Sequence, residues 1–163
     1  MKISIIYTSQ GGNTEFAADC IRDGILAKCP FAEVKTMDVG EDEMDLDFLA
    51  HSDAVIFGSP VYFTSMSWVL KKWFDQSFKI DLTGKIGAAF VTAQSPAGGA
   101  DTAIMEIVRH MLVKGMLVCS GAEKGQAFQI GAVGLAGRMN QLENLFRAFG
   151  ASVAEKAAAR NAG

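Results

Sequence analysis

Three short stretches of this chain are apolar at nearly every position rather than at every second one: Ile3, Ile5 and Ile6 near the start, DAVIFGSP at 53–60 and IGAAFVTA at 86–93. A strand with one face in water alternates apolar and polar residues, so such runs predict strands buried on both faces, as in a parallel sheet covered by helices. The segments between them carry the matching helical period. Phe16, Ala17, Cys20, Ile21, Gly24 and Ile25 share one helical face, with Asn13 or Thr14 placed to cap the helix and Pro30 just past its end. Met66, Val69, Leu70, Trp73 and Phe74 mark a second helix, residues 103–112 a third, and Met139, Leu142, Leu145, Phe146 and Phe149 the last.

AEVKTM (32–37) reads as one more strand, the acidic EDEMDLDFLA (41–50) as a loop and short helix, and MLVC (116–119) with AFQI (127–130) as a final, interrupted strand. Five strands alternating with about five helices predict a doubly wound α/β fold in a single domain of 163 residues. In such sheets ligands bind beyond the carboxyl ends of the strands, where the strand order reverses. The informative loops are therefore SQGGNT (9–14), GSPVYFTSMS (58–67) and TAQSPAGGAD (92–101).

Composition removes several function classes. A net charge of −3 argues against nucleic-acid binding, which needs clustered Lys and Arg. Cys20, Cys29 and Cys119 are odd in number and lack CxxC spacing, so they read as reduced packing residues rather than as a disulfide frame or a metal site. The first residues are too polar for a signal peptide, which predicts a cytoplasmic protein. The longest uncharged run, 54–70, is broken by Gly58-Ser59-Pro60 and does not read as a membrane span.

The first loop is crowded with hydroxyls, amides and glycines. Ser9, Gly11, Gly12, Asn13 and Thr14 can aim backbone N–H groups and side-chain donors at one spot beside a helix N-terminus, an arrangement suited to a phosphate. A Walker A loop needs a Lys, and none occurs between Lys2 and Lys28; the G-x-G-x-x-G dinucleotide fingerprint is absent too. The loop has no Cys or Arg for phosphocysteine chemistry, and Gly58-Ser59-Pro60 stand where a receiver domain would have its Asp. A phosphomonoester held by neutral donors remains, with a merely connecting Gly-rich turn as the alternative.

Together, in this order, the three loops resemble those of the flavodoxin-like family, in particular its NAD(P)H-dependent FMN reductases and quinone reductases. The resemblance spans nearly the whole chain and includes KKWFDQ (71–76) and MLVKGMLV (111–118). It implies a five-stranded parallel sheet of order 2-1-3-4-5 with helices on both faces, and bound FMN. Carried over by residue, it assigns Ser9, Gln10, Gly11, Gly12, Asn13 and Thr14 to the FMN phosphate. Pro60, Val61, Tyr62 and Phe63 fall to one side of the flavin, and Thr92, Ala93, Gln94, Ser95 and Gly98 to another. Tyr62 and Phe63 are candidates either to stack on the flavin or to pack in the core.

The segment GAEKGQAFQIGAVGLAG (121–137) is shorter than the corresponding insertion of the quinone reductases and has no His; its Gly131, Gly134 and Gly137 read as a turn into the last helix, with a flap over the flavin as the alternative. The resemblance implies electron transfer from NADH or NADPH through FMN to a quinone, free flavin or similar small acceptor, in a homo-oligomer (dimer or tetramer), with no catalytic side chain nominated. The rival is a flavodoxin-type carrier docking on protein partners. Such carriers are strongly acidic, and here Glu41, Asp42, Glu43, Asp45 and Asp47 form the one acidic run, read as a solvated loop. His51 and His110 read as structural residues, Trp68 and Trp73 as packing or interface residues, and the Ala-rich tail 151–163 as a helix frayed at its end.

Overall fold

A computed structural model describes residues 1–122 and 130–162. Its strands are β1 (Lys2–Tyr7), β2 (Glu33–Asp38), β3 (Ala54–Tyr62), β4 (Ser65–Met66), β5 (Ile86–Ala93), β6 (Leu117–Val118) and β7 (Ala132–Leu135). The helices are α1 (Asn13–Lys28), α2 (Leu46–Ala50), α3 (Trp68–Gln76), α4 (Ala100–Val113) and α5 (Glu143–Asn161). The main sheet runs β2-β1-β3-β5-β6 with parallel pairings, the expected 2-1-3-4-5 order once the two-residue β4 is set aside. Ile3, Ile5 and Ile56 face a core completed by α1 and α5, while Ile6, Val55 and Phe57 face one completed by α3 and α4. Burial on both faces is why β1, β3 and β5 show no alternation in sequence.

Several expectations need correction. The fifth sheet position is shared: β6 pairs with the start of β5 (Ile86↔Leu117) and β7 with its end (Phe90↔Ala132 to Ala93↔Leu135). Gly134 thus lies in a strand, paired with Thr92, rather than in a turn. Of the strand expected at 127–130, residues 127–129 lie outside the described residues and Ile130 is in no strand. The second informative loop is instead a hairpin, because β3 continues to Tyr62, turns at Phe63–Thr64 and returns antiparallel as β4.

The cap of α1 is Gly12, at φ 81 and with no side-chain cap bond, rather than Asn13 or Thr14. The tail is helical through Asn161, whose side-chain amide donates to Asp53 Oδ1 at 2.9 Å. That ending follows from how α5 packs. A Cβ at Gly24 would lie 2.0 Å from the Arg147 carbonyl oxygen, and one at Gly150 2.2 Å from that of Ile21. The two helices therefore touch backbone to backbone, and only small residues fit beside them: Ala17, Ala18, Ala154 and Ala157 are fully buried. Ion pairs from Arg147 to Asp23 and to Glu143, and from Lys28 to Glu155, border the contact.

Among the described residues no helix is long and apolar enough to cross a membrane. Cys20, Cys29 and Cys119 are free thiols, and burial pushes those of Cys20 and Cys119 up, as fits packing residues.

Candidate functional site

The ends of β1, β3 and β5 open into one cleft of about 260 Å³. Ser9, Gln10, Gly11, Asn13 and Thr14 line it from the first loop, Pro60, Val61 and Tyr62 from the hairpin, and Thr92, Ala93 and Gln94 from the end of β5. None of these side chains is charged. A hollow of about 650 Å³, bordered by Phe74, Phe78, His110 and Lys114, lies at the end where β5 begins, the wrong end of a doubly wound sheet for its ligand.

Each wall is held by identifiable bonds. The Ser9 N–H donates to Asp38 Oδ2 at 3.0 Å, and Asp38, buried at the end of β2, also accepts from the Gly40 N–H at 2.8 Å. Ser9 Oγ accepts from the N–H groups of Gly12 (3.2 Å) and Glu15 (3.4 Å), which gathers first-turn amides of α1 at the loop. The αL backbone at Gly12 makes that geometry, and a Cβ there would meet nothing within 4 Å, so conformation rather than space calls for glycine. Behind the loop, Tyr7 is buried and its phenol is pushed up to about 12, chiefly by loss of water and next by the Glu15 and Asp38 carboxylates.

Two side-chain bonds tie the walls together. Thr14 Oγ1 and Thr92 Oγ1 are 2.8 Å apart and buried, joining α1 to β5. Tyr62 donates to Gln10 Oε1 at 3.0 Å across the mouth of the cleft. The hairpin is clasped from behind, because Glu106 Oε2 accepts from Ser65 Oγ (2.7 Å) and from the Met66 N–H (2.9 Å). Its tip is strained: Phe63 (φ 48) and Thr64 (φ 67) are both left-handed, as a type I′ turn requires, yet neither is Gly or Asn.

Four residues assigned to the site by sequence lie outside the cleft lining. The left-handed turn throws the Phe63 ring fully into solvent, so it joins no core. Ser95 uses its oxygens within its own loop, its carbonyl accepting from the Gly98 N–H (3.0 Å) and its hydroxyl from the Ala97 N–H (3.4 Å), which draws Ser95 and Gly98 away from the lining. Gly12 stands behind Ser9, to which its N–H donates. Conversely, Ala136 lines the cleft and was missed. The Ala136 N–H donates to the Ala93 carbonyl at 2.9 Å, a placement that depends on β7. AVGL (132–135) has no apolar/polar alternation to mark that strand in the sequence.

The acidic run is partly spent on structure. Asp42 accepts from the Asp38 N–H at 2.7 Å, while Asp45 caps α2 through the Phe48 N–H (2.9 Å) and pairs with Lys35. His110 Nδ1 bonds the Glu106 carbonyl at 2.7 Å and its ring packs on Phe74, so it belongs to the α3–α4 contact.

Known proteins share the fold of this chain. A flavodoxin of Clostridium saccharobutylicum is 50% identical over 121 residues, 74% of each chain. The chain belongs to the flavodoxin-like family. The family model for NADPH-dependent FMN reductase matches residues 46–124, which carry the hairpin and the third loop. An NAD(P)H dehydrogenase (quinone) of Archaeoglobus fulgidus is 27% identical over 146 residues, 72% of this chain and 74% of its own. Among solved structures, a WrbA-like flavodoxin of Agrobacterium tumefaciens superposes with a TM-score of 0.80 at 25% identity, covering 96% of both chains. For a flavodoxin from the domain Archaea the TM-score is 0.78 at 26% identity, with 96% of this chain and 99% of that one covered. This flavodoxin-like chain thus resembles both flavodoxins and NAD(P)H dehydrogenases (quinone).

Proposed function

We propose that this protein is an FMN-dependent oxidoreductase, a single flavin-binding domain over residues 1–163 that passes electrons from NADH or NADPH to a quinone, free flavin or similar small acceptor. The observation that carries the reading is the uncharged cleft at the carboxyl ends of β1, β3 and β5, lined by Ser9 and by Asn13 and Thr14 at the N-terminus of α1. Neutral donors with a helix N-terminus suit a phosphomonoester and leave no Lys for a triphosphate, so the residues present fit FMN.

In this reading the first-loop N–H groups, Ser9 Oγ and Thr14 Oγ1 hold the phosphate. The backbones of Pro60, Val61, Ala93 and Gln94 flank the ring and keep it in a fixed orientation. Bound FMN supplies the hydride acceptance and electron release. No side-chain acid, base or nucleophile is required of the protein, and among the described residues no charged side chain lines the cleft. The three unpaired thiols support a reducing, cytoplasmic setting, and we take the working form to be a homo-oligomer.

The 50% identical flavodoxin favours one other reading, a carrier fed by a protein partner. Mixing FMN-loaded protein anaerobically with NADH or NADPH separates the two by visible absorbance. Rapid bleaching is expected of the reductase; flavin that is retained but stays oxidised with both nucleotides would leave the carrier.

A further inference from the structure

Another hollow, of about 320 Å³, opens beside the first loop, lined by Asn13, Gly137, Arg138, Met139, Asn140 and Gln141. That volume lies within the range of ligand pockets. Asn13 lines the cleft as well, and Ala136 of the cleft is followed directly by Gly137, so the two spaces adjoin. None of Pro60, Val61, Ala93 and Gln94 borders it, which puts it at the phosphate end of the cleft and away from the ring.

The lining differs in kind from that of the cleft, because it carries a guanidinium. Among the described residues Arg138 has no ion pair, and the side-chain amides of Asn13, Asn140 and Gln141 have no hydrogen-bond partner. The arginine is placed by its backbone. Its N–H donates to the Leu135 carbonyl at 3.0 Å, and its carbonyl accepts from the Gln141 N–H at 3.0 Å. Gly137 (φ 78) is the third residue of the turn so closed, where a type II turn requires a left-handed conformation. Met139 is buried and packs on Gly134, where a Cβ would lie 2.9 Å from its sulfur. Strand β7, which brings Ala136 to the cleft, thus also fixes Arg138 beside it.

The chemistry of these groups says what would fill the space. A guanidinium grips a phosphate through two parallel N–H bonds, and Asn or Gln amides match the N6 and N7 edge of adenine. FMN ends at its phosphate and offers neither a second phosphate nor a base, whereas FAD continues from that phosphate through a second one to adenosine. We infer that the flavin site extends into this hollow and takes FAD as well as FMN, with Arg138 on the second phosphate and the Asn140 and Gln141 amides on the adenosine. The inference rests on the FMN reading above.

The test is calorimetric titration of the flavin-free full chain with FMN and, separately, with FAD. Wild type should bind FAD at least as tightly as FMN. Arg138→Ala should weaken FAD about tenfold or more, by loss of a charge-assisted pair, and FMN by about twofold at most. Arg138→Lys keeps the charge without the fork and should fall between wild type and Arg138→Ala for FAD. Retained FMN binding shows that each variant is folded. A chain that binds FMN but binds FAD much more weakly overturns the inference and leaves the FMN reading standing; a chain that binds neither overturns both. Equal losses of FMN and FAD in Arg138→Ala would place the guanidinium on the phosphate the two share and overturn the inference as well, as would FAD affinity indifferent to that change.

Discussion

The Thr14–Thr92 bond gives the sharpest handle on the cleft. Both residues are almost wholly buried and their hydroxyl oxygens are 2.8 Å apart, so Thr14→Val or Thr92→Val, near-isosteric changes, leave the other hydroxyl stranded. Each single change should cost about 1–3 kcal/mol of folding stability, while replacing both removes the stranded group and should return to within about 1 kcal/mol of wild type. FMN affinity should follow a different order. A hydroxyl donates one bond, so if Thr92 donates to Thr14, the Thr14 proton is free for a phosphate oxygen. Thr14→Val then loses a charge-assisted bond of about 1.5–3 kcal/mol, or roughly 10- to 150-fold in Kd. Thr92→Val loses only the polarisation of that donor and should weaken binding by roughly threefold. The double variant should be stable yet bind FMN as poorly as Thr14→Val. Urea unfolding and flavin fluorescence quenching measure the two axes separately. A double variant that binds FMN like wild type would refute placing the Thr14 hydroxyl on the phosphate.

Other consequences are equally open to measurement. Gly150→Ala drives a methyl to 2.2 Å from the Ile21 carbonyl and should destabilise the protein by about 1–3 kcal/mol or more in urea, with the same sign for Gly24→Ala. Because the Tyr7 phenol is pushed up to about 12, the folded state holds its proton where the unfolded chain releases it. That contribution is complete below pH 10, the ordinary tyrosine value, and is lost as pH rises toward about 12; Tyr7→Phe should flatten this part of the stability profile and remove the late phase of the tyrosinate absorbance titration. Replacing Phe63→Asn with Thr64→Gly supplies the residues a type I′ turn prefers and should raise the unfolding midpoint, by about 1–2 kcal/mol of stability, since the Phe63 ring is fully exposed and sacrifices no burial.

The parts of the fold legible in sequence were those where burial acts on both faces of a strand. Ile3, Ile5, Ile56 and Phe90 sit in continuous apolar runs because both sides of the sheet are covered, and this fixed which three loops share one end. Strand β7 was hidden because Gly131 and Gly134 carry the turn chemistry of a loop, although Gly134 pairs with Thr92. The hairpin was hidden for the opposite reason: Phe63 and Thr64 occupy left-handed positions that such residues seldom take, so no turn signal announced it. Ala136 reaches the cleft only through β7 and was lost with it. The small residues of the tail are a packing feature rather than a lack of one: Ala154 and Ala157 are small to suit the closeness of α1.

That closeness constrains how the sequence can drift. At Gly24 and Gly150 the obstacle to a side chain is a main-chain carbonyl on the facing helix, so no substitution at positions 147 or 21 can make room, and the usual route of compensating pairs is shut. A lineage that accepts alanine at both positions must move α5 outward, and α1, with residues 9–14 at its head, must follow or lose its support.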